Sequence, residues 1–142
     1  MIRTLTLLLI LMTHGAMADP VSGAAQALNG LRAQNGLPPV ALSPRLQKAA
    51  EAHASDMAKR GYFSHRGANG TTIGTRVKRT GYRFCFVAEN IAKGQKTLAE
   101  VMESWANSAG HRRNMLSDQA RDFGLARASG NVWVMVLGRA GC

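Results

Sequence analysis

One run of six residues near the end of the chain constrains the fold more than any other feature of the sequence. Val132-Trp133-Val134-Met135-Val136-Leu137 is apolar at every position. Because successive side chains of a strand point to opposite faces of a sheet, such a strand must be covered on both faces. Helical patterns before and between the strands supply those covers. We therefore predict an α+β fold, a three-layer α-β-α sandwich with a small central antiparallel sheet.

Two further segments fit the same sheet. Residues 122–128 precede the apolar run, and Ser129-Gly130-Asn131 between them is a turn signal typical of a hairpin. Residues 82–91 are rich in aromatic and β-branched side chains, so part of this segment is predicted to be extended.

Four segments have the spacing and capping residues of helices. Ser43 with Pro44 is a strong start signal, and Thr97 with Glu100 matches a capping box. The predicted helices are residues 22–35, 43–60, 71–79 and 97–109, which end at Gly36, Gly61, Gly81 and Gly110.

Three of the polar residues in these helix patterns need an interpretation. For Asn29 and Arg32 we favour a solvated face of the first helix over a structural polar contact to the core. On the second helix His53 shares an apolar stripe with Leu46 and Met57, so a hydrogen-bonded core residue is favoured over a ligand.

The N-terminal residues have the pattern of a secretory signal. Arg3 leads into an apolar run from Leu5 to Met12, and Ala16-Met17-Ala18 has the small-x-small end of a cleavage site. We expect residues 1–18 to be a signal peptide. The mature chain, residues 19–142, is then expected to form a single domain, secreted or periplasmic, with no transmembrane segment.

The two cysteines, Cys85 and Cys142, have two interpretations. In an oxidising compartment an even number of cysteines favours one disulfide, which would close a long loop and hold the C-terminus. Two free thiols are the alternative. Export favours the disulfide, and no Cys-x-x-Cys pair indicates a redox centre or a cysteine zinc site.

The charge of the chain limits its partners without naming one. After removal of Arg3 with the signal, 17 Lys and Arg would face 8 Asp and Glu, a net charge of +9. Such a protein is drawn to anionic surfaces. The basic residues are scattered and form no nucleic-acid module, so lipid head groups and anionic envelope polymers are favoured over nucleic acid.

Three residues at the edges of predicted elements are candidates for one cleft. His65 follows two aromatic residues in a loop, and His111 follows the glycine that ends the fourth predicted helix. Glu89 lies in an apolar segment, where a carboxylate is costly to bury unless it is paired or bound to a cation. Pairing of Glu89 with backbone amides is the purely structural alternative.

Two imidazoles and a carboxylate suit two kinds of chemistry. They are the ligands of an open zinc site, in which water takes the fourth position. Without a metal, the same groups can serve as an acid-base pair, with Glu89 as the catalytic residue. No serine or cysteine nucleophile motif is present.

Several motifs occur in a distinctive order along the chain. They are Leu28-Asn29-x-x-Arg32, Ala52-His53-x-x-x-Met57, Phe63-Ser64-His65, Glu89-Asn90-Ile91-Ala92, Trp105-x-x-Ser108-x-Gly110-His111-Arg112-x-Asn114, Phe123-Gly124-Leu125 and Trp133. In this order they resemble the bacterial secreted branch of the CAP superfamily, also called the SCP or PR-1-like family. The match spans roughly residues 25–139.

The resemblance implies an α-β-α sandwich with a cleft lined by His65, Glu89, Asn90, Ser108 and His111. It further implies that His65 and His111 can bind a divalent metal, commonly zinc.

Two departures from the family pattern bear on activity. The usual Gly-Glu-Asn is Ala88-Glu89-Asn90 in this chain, which keeps the acid. Family members with a full tetrad carry a second glutamate near the position of Ser108, so the resemblance implies an incomplete tetrad. This departure weakens the case for catalysis more than the case for metal binding.

Three functions remain open on the sequence alone. We favour a secreted binding module that recognises a lipid, a peptide or an envelope component. The alternative is a metal-assisted or acid-base hydrolase, similar to a protease, acting on an extracellular substrate. The third is a structural envelope protein with a vestigial site.

Overall fold

A computed structural model describes residues 21–142, so the signal peptide predicted at residues 1–18 lies outside the described residues. Within residues 21–142 there are five α-helices and four β-strands. In chain order they are α1 (Ala24–Gln34), β1 (Ala41–Leu42), α2 (Pro44–Arg60), α3 (Ile73–Arg79), β2 (Phe84–Lys93), α4 (Leu98–Ala106), α5 (Ala109–Met115), β3 (Asp122–Ala128) and β4 (Val132–Ala140).

The strands form one sheet in the order β1-β3-β4-β2. β4 is antiparallel to both of its neighbours, and the β3–β4 hairpin turns at Gly130 and Asn131, both with positive φ. The two-residue edge strand β1 pairs in parallel with β3. This short parallel pair is the one addition to the predicted antiparallel sheet.

The central strand β4 separates two apolar cores, as the sequence predicts. Trp133, Met135 and Leu137 face the core shared with α1, α4 and α5. Val134 and Val136 face the core shared with α2 and α3. Because alternate side chains of a single strand enter both cores, the fold is the predicted α-β-α sandwich.

The predicted end of the fourth helix is wrong. The helix stops at Ala106 instead of Ala109, and a separate helix, α5, begins at Ala109 with Ser108 as its N-cap. Gly110 therefore lies inside a helix and does not terminate one. A glycine is a weak stop signal when a cap residue such as Ser stands two positions before it.

The expectation of a solvated face for Asn29 and Arg32 is also wrong. Arg32 is fully buried and donates to the carbonyls of Pro38, Met115 and Ser117 at 2.9–3.0 Å. Asn29 exchanges two hydrogen bonds with the backbone of Val40. Both side chains bond to backbone groups outside α1, which the helix pattern alone does not reveal.

Cys85 and Cys142 form the predicted disulfide, with their Cα atoms 5.4 Å apart. The bond ties the C-terminus to β2, which is an edge strand of the sheet. Among the described residues, no helix is long and apolar enough to cross a membrane.

Gly124 of β3 marks the closest approach of the sheet to α2. A Cβ at this position would overlap the backbone of Leu46 and Gln47. We predict that Gly124→Ala lowers the free energy of unfolding by about 1–3 kcal/mol, because the helix must move away from the strand. Urea denaturation measures the change.

Gly110→Ala is the matched control, because no heavy atom lies within 4 Å of a Cβ there. Alanine in α5 is expected to stabilise by about 0.5–1 kcal/mol. Equal effects of the two substitutions would contradict the packing described for β3 and α2.

Candidate functional site

Glu89 of β2 is the best-connected side chain of the candidate cleft. Only 3% of its side chain is exposed. Nη2 of Arg76 donates to Oε2 at 2.7 Å, and Nδ1 of His65 lies 2.8 Å from Oε1. A carboxylate only accepts, so His65 donates through Nδ1 and keeps Nε2 as its open nitrogen. Glu89 thus has two cationic or polar partners rather than the backbone amides of the structural alternative.

His65 is held in the loop between α2 and α3 by its backbone as well as its ring. Nη1 of Arg76 donates to the His65 carbonyl at 3.0 Å, and His53 donates to the carbonyl of the preceding residue, Ser64, at 2.9 Å. The ring itself is 59% exposed. Of the two aromatic residues that precede His65, Phe63 is 48% exposed, whereas Tyr62 is half-buried and anchors the loop to the core.

His111 lies in the first turn of α5. Its Nδ1 is 2.9 Å from Oγ of Ser108, and this Ser108 makes no capping bond to the backbone. The Ser108 hydroxyl therefore orients the His111 imidazole and does not cap the helix. Because Nδ1 is used, Nε2 of His111 is the nitrogen left for a ligand.

Asn90 joins the strand to α5. Its Nδ2 donates to the carbonyl of His111 at 3.1 Å, and its Oδ1 accepts from Asn114 at 2.8 Å. Asn114 also donates to the Glu89 carbonyl at 3.3 Å. These bonds fix the distance between the helix that carries His111 and the strand that carries Glu89. Asn90 therefore positions His111 through the backbone of α5.

The structure therefore brings the sequence-predicted residues together in two groups. His65 contacts Glu89 directly, whereas His111 contacts Ser108 and is linked to Glu89 through asparagines. Burial is the main cause that lowers the pKa of His111, and the charge of His65 lowers it further. A shallow pocket of about 300 Å³ is lined by His65, Glu89 and the start of α3.

Sequence reasoning missed Arg76, the cation on which Glu89 depends. A buried carboxylate in an apolar segment requires a positive partner, and this was the available signal. The third predicted helix contains several basic residues, and periodicity does not say which one reaches the sheet. His53, predicted to be a hydrogen-bonded core residue, is 1% exposed and also approaches Oε1 of Glu89 at 3.9 Å.

The donor set fits a two-histidine metal site better than a three-donor site. Within residues 21–142 no group of three His, Cys, Asp or Glu side chains is arranged to hold a metal ion. Both oxygens of Glu89 are engaged by other side chains. Each imidazole has one nitrogen oriented by a partner and one that has no partner among residues 21–142. That is how metal-binding histidines are usually held.

Mild acid is predicted to destabilise the protein through His53 and His111. Burial is the main cause that lowers the pKa of each imidazole below its usual 6.5. The unfolded chain then binds protons more readily, so this stability is complete above about pH 6.5 and falls as the pH decreases towards the folded-state values. Urea midpoints at pH 7.5 and pH 5.5 measure the loss.

His111→Asn is the comparison for this pH dependence. It removes one of the two titrating groups, so its stability is expected to fall less steeply between the two pH values. Asp56, whose pKa is lowered by its bond from Tyr62, titrates below this window. Equal or greater stability of the native chain at pH 5.5 would contradict the burial of these imidazoles.

The fold and the site together define a class: α-β-α sandwich proteins in which one histidine contacts a buried glutamate and a second lies on a helix bonded to the same strand. A family model described as "CAP: Cysteine-rich secretory protein family" matches residues 25–137. The chain therefore belongs to the CAP family.

Individual relatives agree with this membership. The uncharacterized protein YkwD of Bacillus subtilis (strain 168) is 37% identical over 106 residues, which cover 74% of this chain and 41% of YkwD. An extracellular protein with an SCP domain from Bacillus anthracis has a TM-score of 0.76 and 29% identity, covering 79% of this chain and 37% of that one. The chain thus spans about two fifths of these relatives.

A third comparison matches nearly the whole of a shorter protein. An outer surface protein of Borrelia burgdorferi has a TM-score of 0.79 at 21% identity. The match covers 86% of this chain and 93% of the Borrelia protein. At this identity the likeness shows the fold alone.

Proposed function

We propose that this protein is an extracytoplasmic binding module whose cleft holds a divalent metal, zinc, through His65 and His111. The observation that carries the proposal is the burial and hydrogen bonding of the Glu89 side chain. Its side chain is 3% exposed, and its two oxygens are bonded to Arg76 and His65. A general base must reach a substrate proton, and a carboxylate committed in this way serves to orient His65.

The residue at the position of the second family acid supports binding over hydrolysis. Ser108 uses its hydroxyl to orient His111 and has no titratable group in the neutral range. The cleft therefore contains two oriented imidazoles and no free carboxylate from Glu89 or position 108. When bound, zinc supplies a Lewis acid that accepts an oxygen ligand.

The charge of the chain supports the ligand class, and one similar protein supports the location. The basic chain favours an anionic or carbonyl oxygen on a lipid, a peptide or an envelope component. The similarity to an extracellular protein of Bacillus anthracis supports secretion or a periplasmic location. The cleft is open enough for a group on a large ligand to enter, because His65 is more than half exposed.

Zinc titration by calorimetry tests the site. We expect one zinc per chain at pH 7.5, and His65→Ala or His111→Ala to weaken binding by at least about tenfold, since each removes a nitrogen ligand. Gln26→Ala, an exposed change on α1 with no contact to the cleft, is the control and is expected to bind zinc normally.

Two results would contradict the proposal. Zinc binding that survives the double change His65→Ala and His111→Ala would place the metal elsewhere. Zinc-dependent cleavage of a labelled casein substrate that is lost in Glu89→Gln would make the protein a hydrolase, with Glu89 as its catalytic residue.

A further inference from the structure

A second pocket lies between α2 and α3, and Arg76 forms part of its wall. We call it the α2–α3 pocket. Its walls come from α2, from α3 and from loop residues 67–71, and its volume is about 320 Å³. This volume lies within the range of small-molecule sites. The proposed metal-binding residues His65 and His111 are not part of its wall.

The wall of the α2–α3 pocket includes a buried hydrogen-bond acceptor. His53 lines the pocket and is 1% exposed. Its Nε2 is 2.9 Å from the Ser64 carbonyl, which can only accept, so Nε2 carries the proton and Nδ1 presents a lone pair. Among the described residues Nδ1 has no hydrogen-bond partner.

An orphaned acceptor of this kind indicates the chemistry of an occupant. Buried polar atoms are nearly always hydrogen-bonded, and one that is left without a partner is destabilising. Burial lowers the pKa of His53, which keeps the imidazole neutral near pH 7. The group that satisfies Nδ1 must therefore be a donor, such as a hydroxyl.

Two cations of the pocket wall have no counterion. Lys48 of α2 and Arg79 of α3 are exposed and form no ion pair within the part of the chain that the structure describes. The other two arginines of the wall are already paired with carboxylates. The facing helices thus offer two free positive charges near one buried acceptor.

We propose that the α2–α3 pocket binds a small molecule carrying both a hydroxyl and an anionic group, the chemistry of a sugar phosphate or a sugar acid. The hydroxyl donates to Nδ1 of His53, and the anion pairs with Lys48 and Arg79. Ala49 and Ala52 of the wall contact the carbon skeleton. Arg76 belongs to the wall of this pocket and also pairs with Glu89, so the two sites adjoin.

Calorimetric titration of the purified protein with four probes tests the chemistry. Glucose 6-phosphate and glucuronate carry both groups, whereas glucose and inorganic phosphate carry one each. We expect at least one of the two acids to bind about tenfold more tightly than either single-group probe. The two acids distinguish phosphate from carboxylate recognition.

Variants locate the binding. Ala52→Leu fills the pocket with a good helix former at an exposed position of α2, and we expect it to weaken binding at least about tenfold without changing zinc affinity. The pair Lys48→Ala and Arg79→Ala should weaken binding at least about tenfold. The control pair Lys59→Ala and Arg83→Ala removes the same charge outside the pocket and should have less than about a twofold effect.

A spectroscopic signal tests the role of His53 without substituting a core residue. On saturation with the tighter acid, the ¹⁵N resonance of His53 Nδ1 is expected to shift as it accepts a hydrogen bond. The proposal is overturned if neither acid binds, if phosphate alone binds as tightly, if Ala52→Leu has no effect, if both charge pairs weaken binding equally, or if Nδ1 does not shift.

Discussion

Replacing Arg76 with Met is expected to lower the free energy of unfolding by about 3–5 kcal/mol. The guanidinium group is the cation that compensates Glu89 in the interior, at 2.7 Å from Oε2, and it also holds the carbonyls of His65 and Thr71. Methionine keeps much of the side-chain volume, so the loss reports the unpaired carboxylate rather than a cavity. Urea denaturation at pH 7.5 gives the value.

Two comparisons isolate this effect. Arg79→Met removes an equal charge three residues along α3, where the side chain is exposed and unpaired, and should change stability by less than about 0.5 kcal/mol. Combining Arg76→Met with Glu89→Leu should recover most of the loss, because no buried charge remains. A cost of Arg76→Met below about 1 kcal/mol would show that Glu89 does not depend on this ion pair.

Replacing both Cys85 and Cys142 with Ala is expected to cost about 4 kcal/mol, the second large effect. The disulfide closes a loop with a sequence separation of 57 residues, so it removes much conformational freedom from the unfolded chain. Thermal and urea unfolding of the double variant, compared with the native protein, measure the loss.

Reduction supplies the control for the disulfide. Dithiothreitol should lower the stability of the native protein towards that of the double variant and leave the double variant unchanged. The described role of the bond would be contradicted if the double variant unfolded at the same urea concentration as the oxidised protein.

The features that the sequence predicted well are those set by local chemistry. Ser43 and Thr97 cap the helices that follow them, because their hydroxyls accept from amides three residues ahead. The alternation of β4 between two cores follows from its apolar run and the period of a strand. These signals require no knowledge of distant contacts.

The features that were missed depend on residues far apart in the chain. Arg32 is buried because carbonyls of Met115 and Ser117 lie beside it, more than 80 residues away. The sequence indicates that Glu89 needs a cation. Which basic residue of α3 supplies it depends on how α3 packs on β2, and that residue is Arg76. The short helix α5 was missed because Gly110 was interpreted as a stop.

The most direct test of the central proposal is X-ray absorption at the zinc edge. The proposal is that His65 and His111 hold the metal while Glu89 stays paired with Arg76. The zinc-loaded protein is predicted to show two imidazole nitrogens at the metal, with oxygen ligands completing the coordination and no sulfur. Glu89→Gln should retain both imidazoles, with affinity reduced by about 10- to 100-fold. A spectrum with fewer than two imidazoles, or with the carboxylate of Glu89 as a metal ligand, would contradict the proposed site.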